Sequence, residues 1–165
     1  MSSRLPKLVD PWRLSEQELS YTGVVELADF PRLAGSLVRR EGVVSYDLRF
    51  FRDRLGRPLV AGNVAATLWL TCQRCLDDVS IPVDSGFRLV VVQGLDEAAA
   101  LSEEFEPLLV DEASINPRDL LEEELLLSLP VVARHEACHA WQSDDEPNAA
   151  ESREHPFQVL QKLKH

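Results

Sequence analysis

The strongest constraint on this chain is the two-residue rhythm of its middle third. Val44, Tyr46, Leu48 and Phe50 alternate with Ser45, Asp47, Arg49 and Phe51. Successive side chains leave a pleated backbone on opposite sides, so this alternation encodes a strand with one buried face. Gly56 and Pro58 punctuate a turn over Asp53 to Pro58, and a second strand follows from about Leu59 to Thr71. The stretch "VSIPVDSGFRLVVVQ" supplies another strand or two, with Pro82 marking an edge or a bulge. An earlier piece, "YTGVVEL", reads as a first strand. The economical fold class is α+β: an antiparallel β-meander or barrel-like sheet with a few flanking helices.

Helical signals lie on either side of this sheet. "ADFPRLAGSLVRR" reads as a short helix, with Asp29 at its cap or first turn, Pro31 early, and Leu33, Leu37 and Val38 at helical spacing. Beyond Gly94, the segment that begins "LDEAAALSEEF" reads as an acidic loop and "EPLLVD" as a short strand. A clearer helix follows, capped by Asn116, with Pro117 first, Asp119 in the opening turn and Pro130 as its stop. Its leucines, Leu120 to Leu129, are not confined to one stripe and call for cover on more than one side.

With 165 residues, 45% of them hydrophobic, the chain can bury one real core. The expected organisation is a single globular domain over 1–141, a flexible acidic linker over 142–155 and a short docking helix over 156–165. The linker, "QSDDEPNAAESREH", has too little apolar surface to offset the entropy of ordering. The last segment puts Phe157, Leu160 and Leu163 on one face but is too short to be stable alone. The opening "MSSRLPKLVDPWRL" contains no apolar run, and none elsewhere approaches the roughly 20 residues of a membrane helix. A soluble, cytoplasmic protein with no membrane partner is expected.

Between the strand that ends at Thr71 and the "VSIPV" strand stands "CQRC". Cys72 and Cys75 at this spacing can share one ion, because a tight turn brings both sulfurs to one side. The remaining cysteine lies in "ARHEACHA", where His135 and Cys138 repeat the same spacing. Cys72, Cys75, His135 and Cys138 would make a structural zinc site, with His139 as the alternative ligand. Two other readings stand beside it: buried cysteines that only pack, and a redox pair. The redox reading suffers because the cysteines sit between strands rather than at a helix N-terminus, where the dipole favours a thiolate. Three cysteines without an export signal make no disulfide framework.

"HEACH" matches a zinc-protease pattern in its letters. Its context, after "LPVVAR" and before the linker, is not the helix that chemistry needs. There is no Gly-x-Ser-x-Gly elbow and no phosphate-binding glycine loop, so no catalytic residue is assigned. A metal-dependent hydrolase or nuclease using Glu136 as a base is the alternative reading.

Charge is unevenly spread. The net charge is −11, yet residues 1–92 carry 12 Lys and Arg against 11 Asp and Glu, while residues 93–165 carry 5 against 17. Arg39, Arg40, Arg49, Arg52, Arg54 and Arg57 gather near Tyr46 and Phe51. Arginines among aromatics can meet an RNA backbone and its bases. The acidic half suits a basic partner.

The opening "LVDPWRLSEQELSYTGVVEL", the "CQRC" turn, "FEPLLVDE", "DLLEEELLLSLPVVARHEACH" and the closing "HPFQVLQKLK" occur in an order that resembles the bacterial YceD family. The resemblance implies a role in the synthesis, processing or stability of large-subunit ribosomal RNA. The implied partners are that RNA or its precursor, together with ribosomal or maturation proteins. A non-enzymatic assembly factor is the expectation, with a plain zinc-stabilised adaptor without an RNA role as a further alternative.

Overall fold

A computed structural model describes residues 5–110 and 114–141. The linker and docking helix expected over 142–165 lie outside these residues. The elements in chain order are α1 (Pro11–Glu16), β1 (Ser20–Glu26), a single 3-10 turn (Leu27–Asp29), α2 (Pro31–Ala34), β2 (Val43–Arg52), β3 (Pro58–Thr71), β4 (Asp78–Val92), α3 (Leu95–Ala99), β5 (Glu106–Leu109) and α4 (Pro117–Leu127). Among the described residues no helix is long and apolar enough to cross a membrane.

The five strands form one open sheet in chain order, β1 to β4 antiparallel and β5 parallel to β4. The α+β class and the meander are as expected, whereas the sheet does not close into a barrel. Closure is unnecessary because helices, not an opposing sheet, cover its inner face. Val44, Tyr46, Leu48 and Phe50 of β2 are all buried there. They pack with Val60, Val64 and Leu68 of β3, with Leu14 of α1, Leu33 of α2, and Leu121 and Leu125 of α4. Gly62 is needed in this layer, since a Cβ there would stand 2.4 Å from the ring of Phe87.

The long β3–β4 pairing runs from Leu59 opposite Val90 to Thr71 opposite Asp78. The first cysteine therefore falls immediately beyond its tip. Pro82 lies where β4 has a strand neighbour on one side only, because β5 pairs with residues 89–92 alone; its missing N–H costs no ladder bond. The segment read as an acidic loop contains α3. That helix is part of the crossover a parallel neighbour requires, and it delivers β5 alongside the end of β4. It also covers part of the outer face, where Leu59, Val90 and Val92 pack with Phe51, Ala98, Leu101 and Phe105.

Two helices differ from the sequence reading. α1 has its signal in Asp10–Pro11: the Asp10 carboxylate accepts from Arg13 N at 3.1 Å, and proline opens the helix. α2 is shorter than expected and ends at Gly35, leaving Leu37 buried and Val38 exposed. Its cap is not Asp29, which pairs with Arg118 at 3.2 Å. Glu122 of α4 reaches across instead, and its Oε1 accepts from Arg32 N at 2.7 Å and Leu33 N at 3.0 Å. A carboxylate 90 positions away in sequence thus satisfies two orphan donors and couples α2 to α4. Of the α4 leucines, Leu121 and Leu125 are fully buried, Leu120 and Leu126 are half-buried, and Leu127 is exposed.

Glu122 is itself only 4% exposed, so Glu122→Ala leaves two N–H groups without a partner. The expected loss is about 3 kcal/mol of unfolding free energy, read as a lower urea midpoint with an unchanged slope. A loss below about 0.5 kcal/mol would mean water replaces the carboxylate there.

Candidate metal centre

Strand β3 ends at Thr71, and the turn that follows folds back on itself within six residues. Cys72 N donates to Asp77 O at 2.8 Å and Leu76 N to Cys72 O at 2.9 Å. Leu76 takes the left-handed conformation at φ +65°, which costs a side-chain-bearing residue about 1 kcal/mol or more. The reversal directs Cys72 and Cys75 toward one another and presents the backbone N–H groups between and after them to their sulfurs.

The other wall is the stretch after α4. Residues 128–141 form no regular element. They are tied to the turn by Gln73 N donating to Ala133 O at 2.8 Å and by Trp141 N donating to Arg74 O at 2.8 Å. These two bonds bracket His135 and Cys138 and bring them over the cysteine pair.

Cys72, Cys75, His135 and Cys138 thus form one group, each offering a ligand atom within 4.8 Å of the others. Cys72 Sγ and Cys138 Sγ are 3.8 Å apart, and Cys75 Sγ and His135 Nδ1 3.4 Å. A tetrahedral ion holding sulfur at about 2.3 Å and imidazole nitrogen at about 2.0 Å sets its ligands about 3.5–3.8 Å apart. The donor set therefore has the spacing of a site that can hold a metal ion. His135 Nε2 lies 3.2 Å from the Asp78 carbonyl. A carbonyl can only accept, so Nε2 carries the proton and Nδ1 keeps its lone pair for the ion. His139 is exposed and lies outside the group.

The two cysteines of the turn are tuned in opposite senses. The N–H of Cys75 aims at the Cys72 sulfur, and those of His135 and Arg74 add to it. Together they hold the Cys72 thiol down to about 5 against the effect of lost hydration. At Cys75 the Asp77 N–H favours the thiolate, but lost hydration and the neighbouring sulfurs of Cys72 and Cys138 outweigh it and push the thiol up to about 11. Cys72 thus offers an arriving cation a thiolate near neutral pH, and Cys75 would give up its proton on binding.

Arg74, between the two cysteines, is the residue that spacing rules overlook. Its Nε donates to Cys138 Sγ at 2.8 Å and its Nη2 to His135 O at 3.1 Å, and the contact with Cys138 pushes the guanidinium still further up. Three thiolates and a neutral imidazole around a divalent ion would sum to one negative charge, which Arg74 would balance. No ligand-spacing pattern encodes this role; its only sequence signal is a cation inside the Cys-x-x-Cys turn.

The arginines expected to act together are divided by the fold. Arg39 pairs with Asp78 at 2.7 Å and lies over the Trp69 ring at 4.2 Å, at the metal end of the sheet. Arg57 adjoins the start of β3, eleven residues or about 35 Å of strand from Trp69, paired with Asp53 at 2.6 Å and stacked on Phe105 at 4.1 Å. Arg52 pairs with Glu16 at 2.9 Å at that same end, beside Arg54. Arg49 is exposed on the outer face of β2, and Arg40 is exposed just beyond Arg39. Arg88 joins the group around the turn: the register sets it across Ala61 from Arg49, a relation visible only once strands pair.

Comparison with known proteins places the chain in context. Residues 60–164 match the family described as large ribosomal RNA subunit accumulation protein YceD. A curated relative from Haemophilus influenzae (strain ATCC 51907 / DSM 11121 / KW20 / Rd), the large ribosomal RNA subunit accumulation protein YceD, is 30% identical over 168 residues, covering 98% of this chain and 97% of the relative. No solved structure gives a significant match.

Chelated protein titrated with cobalt(II) is expected to develop the visible ligand-field bands of a tetrahedral, thiolate-rich site at a stoichiometric equivalent. Cys72→Ser and Cys138→Ser should each abolish that spectrum. Arg74→Ala should keep it while weakening metal affinity by about tenfold, the usual scale for a group that orients and neutralises ligands. An octahedral spectrum, or uptake unchanged in Cys138→Ser, would contradict the four-donor assignment.

Proposed function

The chain belongs to the YceD family, and on that premise we propose that it is a non-enzymatic factor in ribosome biogenesis, supporting synthesis, processing or stability of large-subunit ribosomal RNA. The observation that carries this reading is the near end-to-end likeness to the Haemophilus influenzae relative, 98% of one chain against 97% of the other. Its partners are then the RNA or its precursor together with ribosomal or maturation proteins. The net charge of −12 over residues 93–165, from 5 Lys and Arg against 17 Asp and Glu, suits a basic ribosomal protein. The cytoplasm, where subunits are assembled, is the corresponding location.

The metal in this reading is zinc, and its role is structural. Three thiolates and one imidazole at tetrahedral spacing are its preferred donors. Four protein ligands fill a tetrahedral ion, whereas a catalytic zinc keeps a position for water. Glu136, the residue a hydrolase would use as its base, is exposed and stands outside the donor group. "HEACH" is not on a helix here, because residues 131–141 are irregular, so His135 and His139 do not face one ion from successive turns.

Depletion of the protein should lower large-subunit RNA relative to small-subunit RNA. Wild type and Glu136→Ala should restore the ratio equally, and Cys72→Ser should fail to do so. An unchanged ratio on depletion contradicts the assembly role, and a dead Glu136→Ala that folds and holds its metal would favour the hydrolase instead.

A further inference from the structure

The outer face of the sheet, on the side of α3, carries an arrangement that the metal centre does not use. Around the β2–β3 turn, Arg52, Arg54, Arg57 and Arg88 line a cleft of about 430 Å³ with a single carboxylate, that of Asp53. In a chain of net charge −11 this is a local reversal of sign. The four cations are not equivalent. Arg57 is fixed by Asp53 and by Phe105, and Arg52 by Glu16 and by the Gly56 carbonyl at 2.6 Å. Arg88 leans over the Phe51 ring at 5.4 Å, and among the described residues neither it nor Arg54 makes an ion pair. Two arginines are walls, and two keep their charge available.

The turn itself is rigid. Asp53 accepts from Leu55 N and Arg57 N at 2.9 Å each, an Asx-type closure that fixes the tip. That tip raises Leu55, 78% exposed, above the surface. Leu55 and Arg57 also line a second cleft of about 370 Å³, whose other walls include Val91, Ala100 and Leu101. Its acid, Glu97, is engaged with Gln93 N at 2.6 Å. A cationic chamber and an apolar chamber thus share a wall. On its other side Arg88 also lines a recess with Glu104, Glu106 and Glu124, carboxylates that do not line the cationic cleft.

A free phosphate needs only the first chamber, and a duplex offers phosphates while hiding its bases. An unpaired nucleotide uses both chambers. We propose that these adjoining clefts bind a segment of single-stranded RNA, with phosphate at Arg54 and Arg88 and a base against Leu55 and Leu101. This deepens the functional reading above and rests on it for the choice of RNA. It leaves Arg39 and Arg40, at the opposite end of β3, outside the contact.

The test uses the full, metal-loaded chain and fluorescence anisotropy with a labelled, unstructured RNA of about 12 nucleotides. Duplex RNA of the same length and inorganic phosphate serve as competitors. The single strand should bind, and both competitors should displace it poorly. Arg54→Ala combined with Arg88→Ala should weaken binding at least about tenfold and reduce the slope of log affinity on log salt by about 1.4, two phosphate contacts at 0.7 each. Leu55→Ser should weaken binding with the slope unchanged, and Arg32→Ala, a surface cation on α2, should change neither. Equal affinity for duplex, or an unaltered double variant with wild-type thermal unfolding, overturns the site. Failure of strand binding while depletion still lowers large-subunit RNA removes this site and leaves the functional reading intact; strand binding without a depletion effect does the reverse.

Discussion

The fold hinges on one joint, where the tip of the β3–β4 hairpin meets the irregular segment that follows α4. A segment such as 128–141 has no helix or ladder to hold it, and ordering its backbone costs on the order of 1–2 kcal/mol per residue in entropy. Against this stand two backbone bonds, Gln73 N to Ala133 O and Trp141 N to Arg74 O, the contacts of His135 and Cys138 with Arg74 and the Asp78 carbonyl, the buried side chain of Ala133 and the partly buried Leu129 and Cys138. These are few for so long an irregular stretch. Four ligand bonds to one ion would supply what is missing, and the surrounding groups are already placed for it: N–H groups on Cys72, a carbonyl on His135, a guanidinium on Cys138. Binding of the ion and ordering of the segment are then one event.

The sheet divides the remaining work between its faces. Its inner face is fully given to the core, where β2, β3 and β4 meet α1, α2 and α4. Among the described residues its outer face is covered near α3, and the rest carries charge. This accounts for the uneven distribution along the sequence. The first half brings arginines to the turn and the outer face, where the cleft at Arg54 and Arg88 has Asp53 as its one carboxylate among the described residues.

Much of this was legible in the sequence where the interactions are local or periodic. Alternation at Val44 to Phe50 reported the buried face of β2 directly, and Asn116 with Pro117 marked the start of α4. The repeated spacing of Cys72, Cys75, His135 and Cys138 named the four residues that the fold gathers, since ligand spacing within a tight turn is itself a local property. What escaped depends on chain reversal. Glu122 capping α2, Arg88 joining Arg52 to Arg57, and β5 lying parallel to β4 arise between residues far apart in sequence. Arg39 shows the converse: close to Arg49 in the chain, it lies at the other end of β3, stacked on Trp69 beside the Val38 N to Trp69 O bond.

The joint between hairpin and tail segment is tested most directly by amide hydrogen exchange with and without a strong chelator. Chelation should strip protection from Gln73, Leu76 and Trp141, whose N–H groups donate across or within the joint, while the β2–β3 and β3–β4 ladders keep theirs. Protection of those amides unchanged by chelation would contradict this, because the segment would then be held by something other than the ion.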